Sequence, residues 1–471
     1  MNRLWKAVLV LVAGLAVTGF GLPDLRDDED AGPRDEPQTF NSELSLKVYV
    51  VREKDGNLRD EGELVGTTPS AEPITIPADT WWYVMPDESV RMQTLAAEVL
   101  LKNIPGISLP ASATDRDLAH FRGLTEMQVL CLGSTDISND GLQHLAGMAE
   151  LRMLNLNHTN ITDAGLERLK GLTNLRWLRL WQTQITDDGL RHLRGMTELR
   201  TLHLDGTGIT DDALRHLRPL TNLRELDLRR TKITNAGLEH LKALPGLRGL
   251  FLQDTQITNA GLEHLRAMTE MRAIDLNGTQ VADNGLQHLA GLTEMRELDL
   301  RNTRITNAGM RHLRAMTQMR ELILNHTEIT DEGLAHLRDM TEMQELALWK
   351  LRISDAGLAH LRTMTKLRVL DLDDTRITDG GLEHLKDMTE MRDLHLWNTG
   401  VTDAGLQHLS RMTELRQLDL DGTRTTDAGL VHLRGMAQME WLDLSNTGVT
   451  RAGVEELRKA MPNARIDGVD Q

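Results

Sequence analysis

From residue 127 onward the leucines fall into one pattern that repeats every 24 residues without insertion. The unit reads Leu-x-x-Leu-x-Leu-x-x-Thr-x-Ile-Thr-Asp-Ala-Gly-Leu-x-His-Leu-Arg-x-Met. One copy runs Leu175, Leu178, Leu180, Thr183, Ile185, Thr186, Asp187, Gly189, Leu190, His192, Leu193. The marker threonine recurs from Thr135 to Thr447, fourteen turns in all, and Leu351 is its one replacement. Leu178 and Leu180 alternate with Trp177, Arg179 and Trp181, which predicts a short strand that buries two leucines and presents the residues between them. Thr186 and Asp187 carry side-chain oxygens suited to capping a helix start, and Asp or Asn fills the second position in thirteen of the fourteen turns. Leu190 and Leu193, three apart, form the buried stripe of that helix. The regular glycine at Gly189 and its equivalents points to a close approach of backbones. The threonine after the strand is expected to hydrogen-bond backbone in a tight turn.

A single unit cannot bury its own leucines, so neighbouring units must stack, with strands in parallel on one side and helices on the other. Fourteen strands at about 4.8 Å each predict an inner sheet on the order of 65 Å long. The fold class is therefore α/β: a right-handed solenoid with a parallel inner sheet and outer helices. A degenerate unit precedes the array, with Leu118 and His120 in register and the strand around Ile107–Leu109 displaced by one residue. The expected organisation is an array over 103–453 and an end cap over 454–471. Residues 42–102 read as a small β-rich module. There Leu46–Val51 alternates as a strand, Asp55-Gly56 marks a turn, Ile74–Pro86 is extended and Ser89–Lys102 has helical spacing. That module would cover the open apolar end of the array.

These repeats resemble the leucine-rich-repeat family, and within it the ribonuclease-inhibitor-like branch that includes the repeats of F-box proteins. The resemblance covers residues 107–466, and the Thr-x-Ile-Thr-Asp-Ala-Gly-Leu form is similar to bacterial members. Threonine stands where that family usually has asparagine or cysteine. The resemblance implies a scaffold for protein recognition without specifying a ligand. No F-box-like helical segment precedes the array, which weighs against a substrate-recognition subunit of that kind.

The first 22 residues read as a targeting segment. Arg3 and Lys6 precede an uncharged, largely apolar run from Ala7 to Leu22, followed by poor cleavage sites. Either a signal peptide or an uncleaved membrane anchor fits, and both place the chain outside the cytoplasm. Residues 23–41 are acidic and proline-bearing and read as a disordered linker. The net charge of −17 disfavours nucleic acid or an anionic membrane as partner. Cys131 is the one cysteine, so no internal disulfide holds the fold.

Three outward strand positions per turn make a concave surface of 42 residues. All five array tryptophans fall on it: Trp177, Trp181, Trp349, Trp397 and Trp441, together with Phe251. Large aromatics on a solvent face suit an interaction surface, with Trp177 and Trp181 as the foremost pair; against this, tryptophan also simply favours strands. The same positions hold fourteen carboxylates against three arginines, Arg179, Arg229 and Arg301. Glu297, Glu321 and Glu345 stand in one column, Asp275 with Asp299 and Asp419 with Asp443 in another, and Asp371 and Asp373 add to the acidic set. Stacked like charges call for screening, a basic partner or a cation, or serve only to keep an open sheet soluble. No calcium-loop spacing is present, and no metal or other cofactor is expected. The histidines at His144 and from His192 to His432 also recur every 24 residues. Packed helices about 8–10 Å apart keep successive ring nitrogens too distant to share an ion, so local hydrogen bonds are expected there. No catalytic motif stands out, and an enzyme is not expected. The sequence thus points to an exported scaffold that binds a protein or peptide of basic character in its concave face. A structural or adhesive envelope role is the alternative.

Overall fold

The computed structural model describes residues 36–468, apart from 52, 55–56, 59–61 and 79. The expected targeting segment over 1–22, most of the acidic linker and the Asp55-Gly56 turn lie outside the described residues. No helix among the described residues is long and apolar enough to cross a membrane.

The chain begins with β1 (Gln38–Phe40), β2 (Leu46–Val51), β3 (Glu53–Lys54), β4 (Asn57–Leu58), β5 (Glu63–Thr68), β6 (Ile74–Ile76) and β7 (Trp81–Pro86). β1 lies inside the stretch read as disordered linker; it pairs antiparallel with β6 and seats Phe40 against the Trp82 ring, with centroids 5.2 Å apart. The helix Met92–Lys102 and β8 (Gly106–Ser108) lead into the array. Fourteen strands follow at intervals of 24, from β9 (Val129–Cys131) to β22 (Trp441–Asp443), and β23 (Arg465–Asp467) ends the sheet.

The pairings run in one line, β5-β2-β7-β8-β9 and on to β23. Nineteen strands thus form one open sheet, parallel from β7 onward. Ile107 pairs with Leu130, 23 residues on, which is the one-residue displacement visible in the sequence. A single apolar core runs the length of the molecule, from Phe40 to Ile466, with the repeat leucines almost all inaccessible to solvent. At the far end the helix Arg451–Ala460 and β23 cover it with Val454, Leu457, Met461 and Ile466.

Each unit turns from strand to helix through a residue in the left-handed region, one before the marker threonine. His158 has φ 54°, Gly206 φ 66° and Asn302 φ 52°, and the position recurs through the array. The threonine closes the turn: in all thirteen units that carry it, its hydroxyl donates to the leucine carbonyl three residues back at 2.5–2.7 Å. The helices are short, typically four residues such as Asp187–Leu190; Asp163–Leu169 reaches seven.

The Thr-Asp pair does something other than cap its own helix. The Asp or Asn side chain reaches into the next unit, 23 residues on. Its Oδ1 accepts that unit's backbone N–H at 2.7–3.0 Å at fourteen successive junctions. In the aspartates Oδ2 also accepts the Ser or Thr hydroxyl, as between Asp163 and Thr186 at 2.6 Å. The Asn139, Asn235 and Asn307 amides donate to that hydroxyl instead, each at 2.8 Å, while Asn259 faces Ala282, which has none. Helix capping by threonine is weak by comparison, with Thr234 accepting from the Ala236 N–H at 3.3 Å. The clamp also explains the glycine: a Cβ on Gly189 would lie 2.3 Å from Asp163 Oδ1. What approaches there is the preceding unit's carboxylate rather than its backbone.

Candidate interaction surface

The outward strand positions form three columns along the concave face, one through residue 177, one through 179 and one through 181. Inner-face side chains of a curved sheet converge, and strands about 4.8 Å apart crowd them further. Many residues expected to be open are therefore covered. Arg179, Phe251, Glu297, Asp371 and Asp373 are buried, as is Glu321.

Trp177 requires a correction. It is 1% exposed and belongs to a small apolar cluster with Val129 and Met153, which precede it in the same column, and with Val51, Trp81 and Tyr83. The Trp81 and Trp177 rings meet edge to face at 6.1 Å. The strand β7 thus lays its aromatics over the start of the concave face, and Trp177 serves as intramolecular packing. The signal was present in the sequence: this column opens with three apolar residues, Val129, Met153 and Trp177, before turning polar. Phe251 is likewise covered, with the Arg229 guanidinium over its ring at 5.6 Å.

Four tryptophans remain half-buried: Trp181, Trp349, Trp397 and Trp441. Trp181 packs on His158 at 4.5 Å and Trp349 on His326 at 4.8 Å, and both histidines stand at left-handed turn positions. The indole nitrogens of Trp181 and Trp349 have no hydrogen-bond partner, whereas that of Trp441 donates to Asp467 at 3.0 Å.

The acidic residues have a local structural duty that spacing alone did not reveal. In the middle column one carboxylate oxygen accepts the backbone N–H two residues on, as in Asp275 to Asn277, Asp299 to Arg301, Asp371 to Asp373 and Asp419 to Asp421. Toward the N-terminal half the charge is met by arginine. Arg229 pairs with Asp227, Arg230 with Asp205 and Arg301 with Asp299, each with a closest approach of 2.5–2.6 Å. From residue 321 onward the three columns hold eight carboxylates and neither lysine nor arginine.

Burial raises these groups. It pushes Glu321 up to about 8, aided by the charges of Glu345 and Asp299. It pushes Asp419 up to about 7, with the Asp421 N–H opposing, and Asp393 up to about 6. Glu297 is raised by burial and then by Glu321 and Glu345, and its Oε2 has no partner. The column Glu297–Glu321–Glu345 stands in register on β16 (Glu297–Asp299), β17 (Glu321–Ile323) and β18 (Glu345–Ala347), as the sequence indicated.

One grouping escaped the sequence reading. On β19 (Val369–Asp371), β20 (Asp393–His395) and β21 (Gln417–Asp419), the middle column places Asp371 beside His395 and His395 beside Asp419. Asp373, His395 and Asp419 bring one ligand-type atom each to within 4.8 Å of one another. Burial holds the His395 imidazole down to about 4, so it is neutral near pH 7. On the convex row, Arg218 contacts His240 at 3.0 Å and Arg362 contacts His384 at 2.6 Å.

Comparison with known proteins identifies the repeat. A family model described as Leucine Rich repeat matches four stretches: 151–170, 220–242, 315–337 and 363–386. No curated protein sequence matches the chain. Among solved structures, the internalin inlF from Listeria monocytogenes is similar with a TM-score of 0.55 at 22% identity, covering 76% of this chain and 94% of that one. The Leptospira interrogans LRR protein LIC12759 gives a TM-score of 0.47 at 17% identity, covering 78% and 85%. The internalin likeness shows the fold: a leucine-rich-repeat solenoid.

Proposed function

We propose that this leucine-rich-repeat chain is an extracytoplasmic scaffold that holds a protein or peptide of basic character against its concave face. The observation that carries the reading is the pairing of half-buried tryptophans with a run of carboxylates between residues 321 and 445. Trp349, Trp397 and Trp441 stand there among eight carboxylates with no cation in the columns. Indole rings supply apolar contact at low entropic cost. A lysine or arginine entering between raised carboxylates would supply the charge that keeps them ionised. The apolar run Ala7–Leu22 supports export, as signal peptide or anchor. The regular 24-residue unit supports placement in the ribonuclease-inhibitor-like branch, in a form similar to bacterial members. The reading is of binding without catalysis.

Panning a random peptide library on the full chain tests this. The expected ligands are rich in lysine and arginine, and their binding is lost in the variant W349A/W397A. Ligands without basic residues, or equal binding by that variant, would overturn the proposal.

A further inference from the structure

We infer that Asp373, His395 and Asp419 form a binding site for one divalent transition-metal ion of the Zn2+ class. The site lies on the concave face across β19, β20 and β21. Its three ligand-type atoms already lie within 4.8 Å of one another. Metal–ligand bonds of about 2.0–2.2 Å place ligand atoms roughly 3–4 Å apart, so a small rotation of the carboxylates completes the approach.

Strand register builds the cluster. Asp371, His395 and Asp419 are direct neighbours in the middle column, and Asp373 follows Asp371 by two residues on the same face. In each of the three aspartates Oδ1 is engaged by a backbone N–H: Asp371 by Asp373, Asp373 by Trp397 and Asp419 by Asp421. That anchoring engages one oxygen of each carboxylate and leaves the second available.

Two unmatched buried atoms, one on Asp371 and one on the imidazole, point to a ligand. Asp371 is only 4% exposed, yet its Oδ2 has no hydrogen-bond partner. Its charge bears on both Asp373 and Asp419. His395 Nδ1 is also buried and unpartnered beside it. A buried polar atom left unmatched costs free energy, so the neighbourhood of His395 has polar capacity that the protein itself does not fill. The donor set indicates which. An imidazole nitrogen with carboxylate oxygens suits zinc or manganese, whereas calcium and magnesium favour oxygen alone. Three protein ligands facing the concave space leave a coordination position open, as in zinc sites that bind a further group. No lysine or arginine in the surrounding columns competes for the carboxylates.

Calorimetric titration of the chelator-treated full chain with Zn2+, Mn2+ and Ca2+ tests the inference. Because the chain has 17 histidines, the reading is the difference between wild type and variants. Wild type and the convex control H384A are expected to show one tight Zn2+ site. H395A and D419N are expected to lose it by about 100-fold or more, and D371N by about tenfold. Melting temperature serves as the second measurement: Zn2+ raises it in wild type and H384A and leaves H395A unchanged. D373N is also expected to lose the Zn2+ site, while its apo form, relieved of a buried carboxyl, is expected to melt no lower than apo wild type, which separates loss of metal from loss of fold. Superimposable Zn2+ titrations of wild type and H395A would overturn the assignment. So would the absence of a tight site, or a tight site that prefers Ca2+.

Discussion

Single side chains on the concave face divide into packing and recognition, and burial tells them apart. Trp177 lies under Trp81 and Tyr83, so W177A is expected to cost about 3–5 kcal/mol of stability. Ligand binding at the far end should be untouched by it. W349A should do the reverse: a smaller loss of stability with loss of ligand. Denaturation and peptide titration of the two variants, side by side, check the pair of expectations. The buried acids give a second prediction. Glu321 titrates near 8 in the folded protein against 4.5 as a free side chain, because burial disfavours its charge. Between those values the folded state holds more protons than the unfolded state. Stability therefore falls as pH rises from 4.5 to 8, by up to about 1.4 kcal/mol per pH unit for one such group. Denaturant midpoints at pH 5 and pH 8 should differ in that direction, and E321Q should narrow the difference.

At the scale of the element, the repeat's polar residues act between units more than within them. Asp331 accepts both the N–H and the hydroxyl of Ser354 in the following unit. D331A leaves both donors unmatched and is expected to cost about 2 kcal/mol, while D331N stays within about 1 kcal/mol because Asn307 already serves Thr330 in the same way. A Cβ on Gly357 would lie 2.4 Å from Asp331 Oδ1, so G357A should also destabilise. The double variant D331A/G357A should cost less than the sum, since removing the carboxylate removes the closest contact and leaves only Ile353 Cγ2 at 2.9 Å. Much of this was legible in the sequence, and the remainder for identifiable reasons was not. The period marked every strand from β9 to β22, the one-residue offset at Ile107 and the turn-closing threonine. The destination of Asp163 was hidden because a carboxylate after threonine fits a helix cap as well as a partner 23 residues on. The cover over Trp177 was hidden because alternation shows which face a residue takes, not what lies across it. Asp371, His395 and Asp419 were readable as neighbours from the same register, though their closeness needed the curvature of the sheet.

Across the whole molecule, one core and one sheet join the N-terminal strands to the closing helix, so the concave face is a rigid, graded surface. Its start is sealed by aromatics, its middle carries the ion pairs of Arg229, Arg230 and Arg301, and its last six array strands are acidic and aromatic. That gradient follows from which residues occupy the three columns, since the scaffold beneath them repeats unchanged. It is the basis for proposing ligand binding at one end of the array. Amide hydrogen exchange of the full chain, with and without a panned basic peptide, addresses this most directly. The account predicts slowed exchange concentrated in strands β17 to β22 and their following turns. Protection confined to the convex helices, or to the helix Met92–Lys102, would contradict it.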